Sequence, residues 1–253
     1  MTANISPARV VGKGPTRIIA VTGWMGDHRL FEPFVPFIDK ERFSFALLDA
    51  RGYGSRIREE GPYTIEQIAS DIVACASQLG WDRFHVVGHS MAGMSAQRLA
   101  IDIPDRLVSA ILLAPVPASG ARIDDQRREL LLAAVHQPDA RKKLINTNTG
   151  GIRSDEWLEK LRDTSLAGTR PDVLDAYMAS WTGKGFADEI RNVRVPVRVI
   201  VGEKDPGAVP ERLRETIGSW FPNFDLKVLE GCGHYPMWEE PAVFAEALSA
   251  TIA

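Results

Sequence analysis

The sequence predicts an α/β protein, a doubly wound and mostly parallel sheet with an inserted helical cap, and three observations carry that reading. Six short runs are almost continuously apolar and rich in Val, Ile and Leu: "TRIIAVTG" (16–23), "FSFALLDA" (43–50), "FHVVGHS" (84–90), "VSAILLAPV" (108–116), "VPVRVIVGE" (195–203) and "DLKVLEG" (225–231). Strands covered on both faces have this composition. Helical patterns stand between them, as crossover helices do between parallel strands. The alternation stops from about Ala118 to Phe186, where "DDQRRELLLAAVHQ", "DARKKLIN", "SDEWLEKLRD" and "PDVLDAYMASW" read as successive helices before strand character returns at Val195. The division expected is therefore a core of residues 1–117 and 187–253 and a cap of 118–186.

Composition narrows the function. At 253 residues, 45% apolar and 25% charged, the chain can bury one large core and has the balance of a soluble globular protein. A net charge of −3 with scattered basic residues leaves no nucleic-acid footprint. No run approaches the roughly 18 apolar residues of a membrane span, and none near Met1 has signal-peptide length, so a cytoplasmic location is expected. Cys75 and Cys232 form no CxxC and read as two reduced thiols. The five histidines form neither HxH nor HExxH, so no metal site is expected. Oligomeric state leaves no mark on the sequence.

In a doubly wound sheet the ligand crevice lies at the carboxyl ends of the strands, so the residues after each strand are the ones to examine. After the first comes "VTGWMGD", where Gly23 permits a tight turn and the backbone N–H of Trp24 can serve an oxyanion. After the second comes "DARGYGSR" (49–56), read as a structural turn with Asp49 and Arg51 in local hydrogen bonds or an ion pair. Ile65, Ile68, Ile72, Ala76 and Leu79 then mark one face of a helix. The third run ends in "GHSMAG", a serine between strand and helix. Such a turn requires small residues two before and two after the serine, and Gly88 and Ala92 are small, although the commoner pattern has glycine at the second position. The N–H of Met91 would be the second oxyanion donor.

A serine hydroxyl needs a base and a group that orients the base. In this chain order the acid follows the serine and the histidine comes last. "VIVGEKDPG" offers Asp205 ahead of a helix near Pro210, with Glu203 closer to the strand and less well placed. "EGCGHYPMWEEP" offers His234, 29 positions later, ahead of a helix near Pro241. His28 in the first loop is the rival base. Pocket candidates are Met25, His89, Trp157, Tyr177, Trp181, Tyr235 and Trp238, with the His89 side chain expected to turn away from the serine.

Taken together, "TGWMGD", "DARGYGSR", "GHSMAG", "GEKD" and "GCGHYPMWEEP", in this order, resemble the α/β-hydrolase superfamily and within it the small capped esterase-like members. Three departures stand out: Thr22-Gly23 where relatives commonly carry His-Gly, Ala92 for glycine, and an N-terminal edge abbreviated to "RVVGKG". The resemblance implies a cofactor-free serine hydrolase acting on a small-molecule ester or related acyl substrate, with catalytic Ser90, Asp205 and His234. Ester or lactone hydrolysis is the first expectation. Carbon–carbon cleavage of a vinylogous diketone, or acyl transfer by the same triad, is the second, and His89 weighs mildly against it because relatives of that kind commonly carry asparagine there. A non-catalytic ligand receptor on the same fold is the third.

Overall fold

The Val-, Ile- and Leu-rich runs pair into one seven-stranded sheet in the computed structural model, which describes residues 5–252. The strands are β1 (Arg9–Val11), β2 (Thr16–Val21), β3 (Phe43–Leu48), β4 (Phe84–His89), β5 (Leu107–Leu113), β6 (Val197–Gly202) and β7 (Phe224–Leu229). Their order is β1-β3-β2-β4-β5-β6-β7. Only β1, the abbreviated edge at "RVV", runs antiparallel to its neighbour. The other pairs are parallel, with Ile19 beside Ala46 and Val86, and Ile111 beside Val87 and Arg198. Most strands end a residue or two earlier than the apolar runs suggest, which frees Gly23, Ser90 and Glu203 for loops at the carboxyl edge.

Alternation divides the core in two. Ile19, Val21, Val86, Leu112 and Val201 face one side, with α1 (Ile65–Gln78) and α2 (Met91–Asp102). Ile18, Ala20, Val87, Leu113 and Ile200 face the other, with α10 (Pro241–Thr251). Side chains of a strand point alternately to opposite faces, so strands sandwiched this way must be apolar throughout. The second face is completed by a 3-10 segment, His28–Phe37, that the sequence pattern does not reveal, because Pro33 and Pro36 forbid a regular α-helix there. It buries Leu30, Phe31, Phe34 and Val35, and the Phe34 ring stands edge-on to Phe45 and Phe244 at 5.5 and 5.3 Å.

Four helices, α3 (Asp125–His136), α4 (Pro138–Asn148), α5 (Asp155–Gly168) and α6 (Pro171–Trp181), lie between β5 and β6. The short α7 (Pro210–Glu215) and α8 (Ile217–Trp220) precede β7, and α9 (Pro236–Glu239) follows it. Proline occupies the first turn of α4, α6, α7, α9 and α10, where its missing N–H costs nothing and its fixed φ suits the helix. Among the described residues no helix is long and apolar enough to cross a membrane.

The α3–α6 layer is held by a buried cation. Arg141 is 1% exposed, and its guanidinium donates to the carbonyls of Ala134 and Val135 at 2.9 and 3.1 Å, where α3 ends, and to the hydroxyls of Ser165 and Thr169 at 3.2 and 3.0 Å. Helix ends leave carbonyls unpaired and carry partial negative charge, so arginine there satisfies both needs. Replacing it with leucine orphans two carbonyls. Arg141→Leu should therefore cost about 1–3 kcal/mol and lower the melting temperature by about 3–10 °C; an unchanged thermal melt would contradict this account.

Candidate active site

Ser90 stands where β4 turns into α2, with φ 53° and ψ −115°. A non-glycine residue in this region is strained by about 1–3 kcal/mol and persists only where its surroundings over-determine it. Here the Ser90 N–H donates to Leu113 at 2.8 Å, and its carbonyl accepts from Gly93 at 2.9 Å and Val116 at 3.0 Å. The turn is so tight that a Cβ on Gly88 would lie 2.3 Å from the Ala92 carbonyl oxygen, and one on Gly23 would lie 2.5 Å from the Ser90 Cβ. The methyl of Ala92 is accommodated, fully buried. The glycine that comes one place late, Gly93, seats α2 against Pro115. As the first residue of α2, Met91 presents one of the N–H groups that a helix cannot satisfy internally.

The other two loops meet at the ends of β6 and β7. Strand-like pairing continues past both strands, Glu203 N–H donating to Leu229 at 2.9 Å and Lys204 N–H to Cys232 at 2.7 Å. His234 and Asp205 thereby come together, with Nδ1 of the imidazole 2.6 Å from Oδ2 of the carboxylate. Asp205 is 4% exposed, and its second oxygen accepts the Gly207 N–H at 2.8 Å. Glu203 instead points outward to Lys204 and the Gly231 N–H. The His234 loop is clamped by Glu239, a buried carboxylate whose two oxygens accept the N–H groups of Gly233 and Tyr235, each at 2.8 Å. With Nδ1 taken by Asp205, Nε2 of His234 is the nitrogen left for proton transfer. His234 shares a cavity wall with Ser90. No hydrogen bond joins the two side chains among the described residues, and contacts of this kind commonly tighten only around substrate.

His89 corrects one expectation. It is no pocket residue: 1% exposed, it accepts the Gly23 N–H on Nδ1 at 3.2 Å, and Nε2 lies 2.8 Å from the His234 carbonyl. Those partners define a neutral imidazole protonated on Nε2. Burial holds its pKa well below the usual histidine value, with the neighbouring His234 adding to the shift. The loop of Thr22 to Gly26, which lacks the common histidine, is closed by the Thr22 hydroxyl donating to the Gly26 carbonyl at 2.7 Å and is oriented by His89.

Ser90, Asp205 and His234 all line a cavity of about 770 Å³ between the sheet edge and the α3–α6 layer. Of the pocket candidates, Met25, Trp181 and Tyr235 line it, as does Trp24. Trp157, Tyr177 and Trp238 do not. The Tyr177 ring is fully buried against Tyr53 and Tyr63, with its hydroxyl donating to the Arg51 carbonyl at 3.0 Å. Trp157 and Trp238 pack on the opposite core, beneath Arg153 and Lys160. The sequence reading also missed Arg127 and Asn148, which line the cavity from α3 and α4.

His28 is engaged elsewhere. Its Nδ1 lies 2.9 Å from Asp49 Oδ2, and that hydrogen bond raises its pKa. Asp49 also accepts the His28 and Ser55 N–H groups, so "DARGYGSR" knots the first two loops together; Arg51 pairs with Asp71 of α1, not with Asp49. Asp27, His28 and Asp49 could bring three ligand atoms within 4.8 Å of one another, but Asp27 is already held by Arg29. Both thiols are buried, with pKa values pushed up to about 12, which makes them poor nucleophiles at neutral pH.

A family model described as alpha/beta hydrolase fold matches residues 16–241. The chain belongs to that family. Over 96% of its length the hydrolase is 27% identical to a 2-hydroxy-6-oxononadienedioate/2-hydroxy-6-oxononatrienedioate hydrolase of Burkholderia vietnamiensis, covering 85% of that protein. It is 26% identical to 3-oxoadipate enol-lactonase 2 of Acinetobacter baylyi, over 84% of this chain and 80% of the relative. Among solved structures, a hydrolase from Oleispira antarctica superposes with a TM-score of 0.84 at 18% identity, over 96% and 93% of the two chains.

The buried histidines of the hydrolase make its stability fall in acid. His89 is held well below the unfolded value near 6.5, and burial beside Arg83 lowers His85 to about 4. Below about pH 6.5 the unfolded chain binds protons that these two cannot, so their contribution declines as pH drops towards the folded values. His28, whose pKa is raised, acts in the opposite sense and loses its contribution as pH rises through its folded value. Melting temperature should therefore fall between pH 7 and pH 5, with a shallower slope in His89→Asn. The same acid slope in the variant would remove His89 from the account.

Proposed function

We propose that this hydrolase cleaves a carboxylic ester or lactone of a small, largely apolar substrate through an acyl-enzyme on Ser90. The observation that carries the reading is the 2.6 Å contact of His234 Nδ1 with the buried Asp205, facing the same cavity as a serine held at positive φ. Nε2 of His234 would take the hydroxyl proton as Ser90 Oγ attacks the carbonyl. Asp205 would hold the tautomer and stabilise the imidazolium. The N–H groups of Met91 and Trp24 would receive the oxyanion. Collapse of the tetrahedral intermediate would expel the alkoxide, which takes the proton from His234. Water activated by the same histidine would then release the acid and restore Ser90. In this reading residues 118–186 form the cap, residues 1–117 and 187–253 the core, and the enzyme works in the cytoplasm without a cofactor.

The named enol-lactonase relative supports lactones as substrates. The relative named for an oxo-dienedioate supports a second reading, in which the same residues cleave a carbon–carbon bond. A panel of p-nitrophenyl esters, lactones and ring-fission diketones separates the two.

Ser90→Ala should reduce turnover by about 10⁴-fold or more and abolish labelling by a fluorophosphonate. Retained labelling would show that another residue is the nucleophile. Asp205→Asn should lower kcat by about 10⁴-fold with little change in KM, because the amide favours the wrong tautomer of His234. An equal loss confined to KM would contradict the orienting role.

A further inference from the structure

One partly buried cation in the cavity wall has no carboxylate partner among the described residues. Arg127, in the first turn of α3, is partly buried, and among the described residues its guanidinium has a single side-chain partner, the neutral amide oxygen of Asn148 at 2.6 Å from Nη2. A guanidinium carries five N–H donors in a rigid fork, and a buried one is ordinarily paired with a carboxylate or saturated with acceptors. Arg141 illustrates the saturated case, with four acceptors and no face on the cavity. Arg56, Arg51 and Arg153 illustrate the paired one, bound to Asp71 or to Glu239.

The carboxylates nearest Arg127 are otherwise occupied. Asp205 accepts from His234 and Gly207, while Asp124 lies exposed and accepts the Arg127 backbone N–H at 2.7 Å as the helix cap. Burial accordingly depresses the Arg127 pKa despite the attraction of Asp205, Asp124 and Tyr235. Two further cations, Arg122 and Arg212, stand exposed on the same cavity, whose lining mixes the apolar Ile123, Leu131, Leu144 and Leu213 with the hydroxyls of Thr147 and Thr216.

We propose that Arg127 binds a carboxylate carried by the substrate at the end remote from the scissile carbonyl, so that the natural substrate is an anionic ester or lactone with an apolar body. This rests on the serine-hydrolase reading above and deepens it. A carboxylate accepts two guanidinium N–H groups side by side, which fixes direction as well as charge. Arg127 is also one residue from the base: Asn148, which takes its Nη2, accepts the His234 N–H on its backbone carbonyl at 3.0 Å. An anion drawn to Arg127 is therefore held against the segment that positions the imidazole.

The test compares half-esters with their neutral counterparts: mono-p-nitrophenyl adipate and suberate against the same molecules capped as methyl esters. In the wild-type enzyme kcat/KM should favour the free acid by tenfold or more at one of the two lengths. Arg127→Leu should bring the ratio to about one, and Arg127→Lys should restore part of it. Because the readout is a ratio within one protein, a uniform loss from misfolding leaves it unmoved. A wild-type ratio at or below one for both lengths, or a ratio that persists in Arg127→Leu, overturns the proposal. If the methyl-capped esters turn over without charge preference, this inference fails and the hydrolase reading stands. If no ester turns over and fluorophosphonate leaves Ser90 unlabelled, the hydrolase reading fails, and calorimetry of mono-p-nitrophenyl adipate binding to Ser90→Ala decides this one. Binding that weakens tenfold or more when Arg127→Leu is added supports the anion site; equal binding overturns it.

Discussion

A neutral imidazole at position 89 ties together the parts of the site that chemistry requires to be mutually fixed. Its Nδ1 holds the Gly23 N–H, hence the loop that presents Trp24, while its Nε2 holds the His234 carbonyl, hence the loop that presents the candidate base. Its own backbone immediately precedes Ser90. Three segments far apart in sequence are thus referred to one rigid ring, and the ring can serve both partners only while it is uncharged. Burial secures that state, since a proton on Nδ1 would have to displace the Gly23 N–H. The low-pH weakness of such an arrangement and its precision at neutral pH have the same origin.

The helices above the sheet grip these loops directly. The Trp24 ring nitrogen donates to the Leu174 carbonyl at 2.8 Å, the Ser165 hydroxyl donates to the Met25 carbonyl at 2.6 Å, and Asn148 accepts the His234 N–H. Arg153, between α4 and α5, reaches Glu239, Glu240 and the Gly231 carbonyl at 3.0, 3.0 and 2.7 Å. The Trp24 loop is therefore anchored to α5 and α6, and the His234 loop to α4 and the segment that follows it. Displacing α4 as a body would pull on the His234 loop, and displacing α5 or α6 would pull on the Trp24 loop.

Much of the framework is legible in the residues themselves. Buried parallel strands advertise their apolar runs, Pro210 and Pro241 mark helix starts, and residues after strand ends gather at one edge of the sheet; the pairing of His234 with Asp205 follows from their places after β7 and β6. Other features depend on tertiary contacts that no local pattern encodes. The 3-10 segment hides behind its two prolines. Trp157, Tyr177 and Trp238 carry the aromatic character of pocket residues, yet helical spacing fixes only which residues share a face and not what that face meets. Tyr177 turns to "DARGYGSR", while the two tryptophans turn to the far core. Arg127 looks like any surface arginine in "DDQRREL" until α4 brings Asn148 beside it.

The strain at Ser90 and the substitution at Ala92 are best understood together. A positive φ at a serine is sustained because its N–H and carbonyl are committed to Leu113, Gly93 and Val116, so relaxing the dihedral would break three backbone hydrogen bonds for one. The turn needs glycine at position 88 because a Cβ there would lie 2.3 Å from the Ala92 carbonyl oxygen, whereas the side chain of Ala92 is buried in the core, where its methyl is accommodated. Glycine is instead demanded at 93, where Pro115 leaves no space for a Cβ. Glycine at 93 thus lets α2 lie close to Pro115 in the loop after β5, while alanine at 92 is accommodated in the core.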